Sequence, residues 1–142
     1  MKTLSVKFLF VLLLAALAVF ILTKYQTVPL DSRPHDFASA RNLAKSVADK
    51  ANCGDFEDNS FQQDVIFTCQ IGGRMFAIYV FYDKEARNGT ETRLRAENNR
   101  SAFKRGEYYF ISKALPYSED PLNQPYVHAQ DLDGFPGELI AP

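Results

Sequence analysis

Residues 8–22 form an uninterrupted apolar run of fifteen residues, FLFVLLLAALAVFIL, preceded by Lys2 and Lys7. Such a run cannot stay in water, and its basic start is typical of an export signal or a membrane anchor. A small-x-small cleavage pattern occurs at residues 16–18, but four more apolar residues follow it directly. We therefore favour an uncleaved transmembrane anchor over residues 1–23, in contact with the lipid bilayer through residues 8–22.

The chain has two cysteines, Cys53 and Cys69. In an exported domain of this size, a single pair more often forms a disulfide bond than remains as free thiols. The basic residues on the two sides of the apolar run nearly balance, so they leave its orientation open. The cysteines favour a single-pass protein of the cell membrane, with a cytoplasmic N-terminus and an extracytoplasmic domain. The alternative is a cytoplasmic domain with two buried thiols.

Three segments follow the anchor. Residues 24–35 contain two prolines and no apolar period, which predicts an extended stalk. Residues 36–113 carry the patterns of one folded domain. Residues 114–142 contain five prolines, five acidic residues and no Lys or Arg. This composition predicts an extended acidic tail studded with aromatic residues.

The first half of the domain shows the clearest patterns. Apolar residues recur every three or four positions up to Ala51, which predicts a helix that has Asp36 as its N-cap and Gly54 as its stop. The alternating run DVIFTCQI and the run RMFAIYVFY, which is apolar on both faces, are separated by Gly72 and Gly73. This arrangement predicts a β-hairpin whose second strand is central and covered on both faces.

The second half adds a helix and a strand. Asp83 is a suitable cap for a helix that runs to about residue 98, and a third strand is expected over residues 107–113. The order helix, strand, strand, helix, strand predicts an α+β sandwich, with a small, largely antiparallel sheet and both helices packed on it. A bridge from Cys53 to Cys69 would tie the first helix to the first strand.

Residue types that carry catalysis are scarce. The two histidines, His35 and His128, lie outside any catalytic motif, and no spacing of cysteines or histidines matches a metal site. Residues 131–134, DLDG, are too short for a calcium loop. We therefore expect no enzyme, no metal and no cofactor, although an enzyme that uses unpaired carboxylates stays open. The net charge of −1 also argues against nucleic acid as a partner.

Charge is unevenly distributed along the chain. Residues 83–113 contain eight basic and five acidic residues, whereas residues 114–142 contain only acidic ones. A basic patch and an acidic tail that reaches a partner are the interaction hypothesis; ordinary solvated surfaces are the alternative. The predicted patch comprises Arg87, Arg93, Arg95, Arg100, Lys104 and Arg105. The predicted contacts of the tail are Tyr117, Leu122, Tyr126, Phe135 and Leu139.

The segments LAKSVADKANC, DVIFTCQIGGRMFAIYVFYDKEAR and AFKRGEYYFISKAL resemble a family of small actinobacterial exported, membrane-anchored or lipoprotein-like domains, mostly without assigned function. The resemblance covers about residues 40–115 and depends on the two cysteines, Gly73, Phe81 and Gly106. It implies an actinobacterial envelope protein, although this chain lacks the lipid-bearing cysteine of many members. Similar single-pass proteins occur as accessory subunits of large membrane complexes, including respiratory ones.

These observations together predict a non-enzymatic, membrane-anchored interaction protein, a small accessory subunit of a larger envelope membrane complex such as a respiratory one. The tail is its expected main contact. The alternative is a secreted ligand-binding or cell-wall-binding module, released by cleavage after Ala18.

Overall fold

The computed structural model describes residues 2–24, 28–97, 100–113 and 127–142, with the side chains of the first helix described for residues 6–20. The helices are α1 (Lys2–Lys24), α2 (Phe37–Lys50) and α3 (Lys84–Glu97), with a short 3₁₀ helix at Ala129–Leu132. The strands are β1 (Gly54–Asp58), β2 (Val65–Ile71), β3 (Arg74–Val80), β4 (Phe103–Arg105), β5 (Tyr109–Lys113) and β6 (Glu138–Ile140).

The strands form a single antiparallel sheet in the order β1-β2-β3-β5-β4-β6. Alternate side chains of each strand point to opposite faces. One face carries Phe67 and Ile78 and packs against the buried side of α2. The other face carries Phe110 and packs against Leu94 of α3. The α+β class is therefore confirmed, with one helix on each face of the sheet.

Local side-chain chemistry sets both ends of α2. Asp36 accepts a 2.7 Å hydrogen bond from the backbone N–H of Ser39, whose hydroxyl accepts from the N–H of Asp36 in return. This reciprocal capping box confirms the predicted start. The helix ends at Lys50 with Ala51 as its C-cap, and the next residue, Asn52, has a positive φ of 51°. This turn brings the N–H of Cys53 to the carbonyl of Ala48 at 2.9 Å. That is a Schellman ending, and the predicted stop at Gly54 is wrong by two residues.

The hairpin between β2 and β3 is confirmed. The two strands pair without interruption from Val65 opposite Val80 to Ile71 opposite Arg74. Gly72 and Gly73 close the turn with φ angles of 56° and 78°. Two consecutive positive φ angles match the twist of the strands and favour glycine. Because β3 lies between β2 and β5, its position as a central strand is also confirmed.

Over the residues that the structure describes, the sheet has six strands rather than the three predicted. β1 is the charged segment GDFED, for which no strand was predicted. β4 has only three residues, and no strand was predicted there either. β6 comes from the predicted tail and pairs with β4 from Phe103 opposite Ile140 to Arg105 opposite Glu138.

The described C-terminal residues, 127–142, belong to the folded domain. Val127, Leu132 and Phe135 are buried in the same core as α2. The N–H of Ala102 also donates to the carbonyl of Val127 at 2.9 Å. The predicted domain boundary at residue 113 and the extended tail are therefore wrong for residues 127–142, because apolar side chains anchor this segment to the sheet. Residues 114–126 lie outside the described residues.

The described part of the predicted stalk also lies on the domain. Leu30 packs against the main core, and the N–H of Ser32 donates to the carbonyl of Pro29 at 3.1 Å in a turn. Arg33 donates from Nε to the carbonyl of Tyr82 at 2.8 Å. Residues 28–33 are thus attached to the domain rather than extended away from it.

The structure gives limited information on the predicted anchor. Over the described residues, none of the helices combines the length and the apolarity needed to cross a membrane. The membrane-spanning role of α1 therefore stays a prediction.

Candidate functional site

The most exposed apolar surface of the described chain is α1. From Val6 to Phe20, its large apolar side chains are between 52% and 68% exposed. Among the described residues, the two clusters that form the hydrophobic core include no residue of this helix. A contiguous apolar surface of this kind marks an interaction with another apolar phase or protein.

Cys53 and Cys69 form the predicted disulfide bond. Their Cα atoms are 5.4 Å apart, and both residues are buried. The Schellman ending of α2 places Cys53 directly before β1, which is paired with the strand that carries Cys69. The bond therefore joins α2 to the centre of β2, and its burial favours a structural role over a redox role.

The residues of the predicted basic patch do not act as one free surface. Arg105 donates to both oxygens of Glu91 at 3.0 and 3.1 Å and to Glu138 at 2.8 Å. The hydrogen bonds to Glu138 and then to Glu91 raise the pKa of Arg105. Arg95 also pairs with Glu91 at 3.6 Å, and the side chain of Glu91 is only 7% exposed. This network joins α3, β4 and β6, so its charges hold the domain together.

The other residues of the patch are dispersed. Arg87 donates to the carbonyls of Gly106 and Glu107, and Lys104 donates to the carbonyl of Phe135 at 3.0 Å. Arg93 lies 3.8 Å from Glu97 on the exposed side of α3, and Arg100 lies at the surface beyond that helix.

The residues predicted as contacts of the tail differ in their exposure in the structure. Phe135 is 2% exposed and packs against Phe76 at a ring distance of 5.2 Å, so it is not available to a partner and that prediction is wrong. Leu139 is 42% exposed on β6, and its role as a contact stays a prediction. Tyr117, Leu122 and Tyr126 lie outside the described residues.

A groove of about 630 Å³ lies beside the C-terminal half of α2, and it was not found from the sequence. Val28, Pro29 and Leu30 supply most of its apolar lining, and Asp49 and Lys50 lie at its polar side. The Lys45 ammonium pairs with the Asp49 carboxylate one helical turn away. The apolar residues within the predicted stalk, residues 28–30, were the available signal for this groove.

The loop between β1 and β2 presents another residue that sequence reasoning missed. Phe61 is 70% exposed, although its backbone pairs with Asp64 in both directions, at 3.1 and 3.0 Å. Ser60 braces the loop further by bonding through its hydroxyl to the backbone of Ile66. A held, exposed phenylalanine is the kind of side chain that anchors protein contacts. Its surroundings in the sequence, NSFQQD, give no periodic signal.

Metal-binding chemistry finds no support in the described part of the chain, where no group of three or more His, Cys, Asp or Glu lies close enough to hold an ion. His128 caps the 3₁₀ helix through its backbone N–H, which donates to Asp131 at 2.9 Å. Asp131 also pairs with Arg74. The acidic segment that resembles a shortened calcium loop therefore ties the C-terminal residues to β3.

Comparisons of the chain with protein-family models, with characterised proteins and with solved structures found no match. The actinobacterial family thus remains a resemblance, and the geometry above is the basis for a functional proposal.

Proposed function

We propose that this protein is a non-enzymatic, membrane-anchored interaction protein with an extracytoplasmic domain, acting as a small accessory subunit of a larger envelope membrane complex. The observation that carries the proposal is the exposed apolar surface of α1 between Val6 and Phe20. Each large apolar side chain removed from water contributes about 1.5–3 kcal/mol. Insertion into a bilayer or among the helices of a membrane complex would recover this energy.

The disulfide bond supports the extracytoplasmic side. Such bonds persist in oxidising compartments and are rare in the cytosol. The bond between Cys53 and Cys69 lies in the core and closes a separation of 16 residues. A cytoplasmic N-terminus followed by α1 would place this domain where the bond is stable.

The contacts with a partner are proposed on exposed side chains. Leu139 on the edge strand β6 and Phe61 on the β1–β2 loop are the described candidates. Tyr117, Leu122 and Tyr126 remain predicted contacts. The arginine network around Glu91 is not proposed as a contact, because it joins elements of the domain to each other.

The anchoring is tested by cell fractionation of the full chain and of a Leu13→Lys variant. Leu13 lies in the middle of the exposed stretch of α1, so a charge there opposes insertion strongly. We expect the wild-type chain to remain in carbonate-washed membranes and the variant to be lost from them. Leu139→Lys is the matched control and should remain. A wild-type chain that is extracted by carbonate would refute the anchor.

The accessory-subunit role is tested by purification of the full chain in mild detergent. Mass spectrometry of the intact chain and of the co-purifying proteins should show an uncleaved N-terminus together with membrane subunits in a constant ratio. An uncleaved chain that purifies alone would refute the role while leaving the anchor intact.

The second candidate function, a secreted binding module, is favoured by the groove beside α2. Its volume of about 630 Å³ lies within the range of small-ligand pockets. This function requires cleavage after Ala18, so a mature chain that begins at Val19 in the medium would support it over the anchored protein.

A further inference from the structure

The connection between α1 and the domain is short. Only residues 25–27 separate Lys24, the end of α1, from Val28. Four Cα-to-Cα steps span at most about 14 Å at 3.3–3.6 Å each. The point at which the chain enters the domain must therefore lie within that distance of the end of α1.

The chain is fixed to the domain soon after this point. Leu30 is packed against the core, and the Nε of Arg33 bonds to the carbonyl of Tyr82 at 2.8 Å. Because of these contacts, residues 28–33 stay on the domain and do not lengthen the connection to α1. The position of Val28 on the domain therefore decides which end of the domain lies nearest to α1.

Residues 28–31 lie beside Ser46, Asp49 and Lys50, at the C-terminal half of α2. The same end of the domain includes the β2–β3 turn, because Gly54, just after α2, pairs with Gln70, next to the end of β2. We call this the proximal end and define it by residues 28–31, 50–54 and 71–75.

The opposite end of the sheet carries the β1–β2 loop with Phe61. β2 runs between the two ends with seven residues, a length of about 20 Å at 3.3 Å per step. The distance between the two ends exceeds the reach of the short connection. A domain that stands on its proximal end therefore holds the β1–β2 loop about 20 Å farther from the membrane that contains α1.

We propose that the proximal end rests on the lipid headgroups of the membrane that holds α1, and that the β1–β2 loop points away from it. This inference rests on the proposed anchoring and adds the orientation of the domain. The proximal surface suits a bilayer interface, because it offers the apolar groove at Leu30 and the partly exposed Met75. The other occupants of such a surface, a soluble protein or a second copy of the chain, would be excluded by the lipid.

Charge does not set this contact. The proximal end carries both signs, since Arg74 pairs with Asp131 and Lys50 lies beside Asp49. The short connection to α1 keeps the proximal end at the membrane. We therefore expect the orientation to be the same in vesicles of zwitterionic lipid and in vesicles that also contain anionic lipid, unlike a contact made by a basic patch.

The absence of tryptophan from the chain permits a direct test. Single-tryptophan variants of the full-length protein are reconstituted in phosphatidylcholine vesicles and in vesicles that also contain phosphatidylglycerol. Met75→Trp reports on the proximal end, Phe61→Trp on the distal loop and Leu13→Trp on α1. Lipids with a nitroxide on the headgroup or bromine in the middle of the acyl chain serve as quenchers.

The expected pattern separates the three positions. Tryptophan at position 75 is quenched by headgroup nitroxide, tryptophan at position 61 is quenched only by iodide in the water, and tryptophan at position 13 is quenched by acyl-chain bromine. Lys50→Trp gives a second proximal probe if Met75→Trp fails to fold, and the intact disulfide bond on a non-reducing gel checks folding.

Each of the other outcomes has its own meaning. If position 13 is quenched but position 75 is not, or if position 61 is quenched by the headgroup label as strongly as position 75, the orientation is wrong and the anchor stands. If position 13 escapes acyl-chain quenching, the anchor itself fails and the orientation fails with it. A strong increase of headgroup quenching at position 75 caused by anionic lipid alone would also overturn the proposed role of the short connection.

Discussion

Replacing Gly106 with alanine tests the packing around Tyr109, which is the largest fully buried side chain among the residues that the structure describes. A Cβ atom on Gly106 would lie 2.0 Å from Cε1 of the Tyr109 ring. On its hydroxyl side, the ring approaches Gly137, where an added Cβ would lie 3.3 Å from the Tyr109 oxygen. The ring is thus held between two glycines. Burial also raises the pKa of Tyr109 to about 12, as expected for a phenol kept from water.

The loss of stability expected for Gly106→Ala follows from the overlap of the added Cβ with the ring of Tyr109. Carbon atoms in contact are about 3.5–4.0 Å apart, so the ring of Tyr109 would have to move by about 1.5 Å. Overpacking of a closed core costs about 1–3 kcal/mol, and this overlap is with a ring that is buried on every side. We expect Gly106→Ala to lower the free energy of unfolding by about 3 kcal/mol. For a domain of this size, the melting temperature should fall by about 12 °C.

Thermal unfolding of the full chain in detergent, followed by circular dichroism, measures this change. Gly89→Ala is the matched control, because Gly89 lies in α3 with no atom within 4 Å of the added Cβ. Alanine is favoured over glycine in a helix by about 1 kcal/mol, so this variant should melt higher. In a Tyr109→Ala background, the cost of Gly106→Ala should largely disappear. A cost that persists there would refute the clash with the ring.

Three further changes test other parts of the fold. Reduction of the disulfide bond should lower the free energy of unfolding by about 3 kcal/mol, because the bond closes a loop over 16 residues. Urea titration of the oxidised and reduced chains measures this change. Glu91→Gln should cost more stability than Glu138→Gln, because the side chain of Glu91 is 7% exposed and that of Glu138 67%; equal melting temperatures would contradict this. The hydrogen bond from the Ser39 N–H lowers the pKa of Asp36 from 3.8, so its carboxylate stabilises the fold above that pH and the stability is lost as the pH falls through the lowered pKa. Asp36→Asn keeps the cap but should remove this contribution to the pH dependence of the melting temperature.

Local patterns predicted the parts of the fold that depend on neighbouring residues. The apolar period of α2, its Asp36 cap and the glycine turn between β2 and β3 all concern residues close together in the chain. The disulfide bond was also predictable, because an isolated pair of cysteines has a single pairing available.

The edge strands were missed for a physical reason. β1 is acidic and exposed, which suits an edge strand that must avoid pairing with other chains, but the same residues resemble a loop. β4 has three residues and is held by pairing with β5 and β6, so no local period reveals it. Nonlocal pairing therefore accounts for most of the difference between the three predicted strands and the six observed.

The candidate site was predicted less well than the fold. Phe135 was assigned to a tail because prolines and acidic residues surround it, yet it fills the core beside Phe76. Because the apolar residues in this segment are irregularly spaced, the sequence does not show that Val127, Leu132 and Phe135 pack into the same core. The arginines were assigned to a patch because many of them lie close together in the sequence. In the structure, Glu91 binds two of them, Arg95 and Arg105, and nothing in its sequence surroundings indicates this role.

The order of the strands separates early from late steps in the biogenesis of the domain. Strands β1, β2 and β3 are neighbours both in the chain and in the sheet, and residues 36–80 also contain α2 and both cysteines. This half is synthesised before the rest of the domain and already contains every residue that the disulfide bond needs. A chain truncated after Tyr82 should therefore form the disulfide bond, as read by alkylation of free thiols. β4, by contrast, acquires its outer neighbour only when residues 138–140 arrive. A nascent chain stalled before that point exposes the unpaired edge of β4, at which incomplete chains can pair with one another and aggregate.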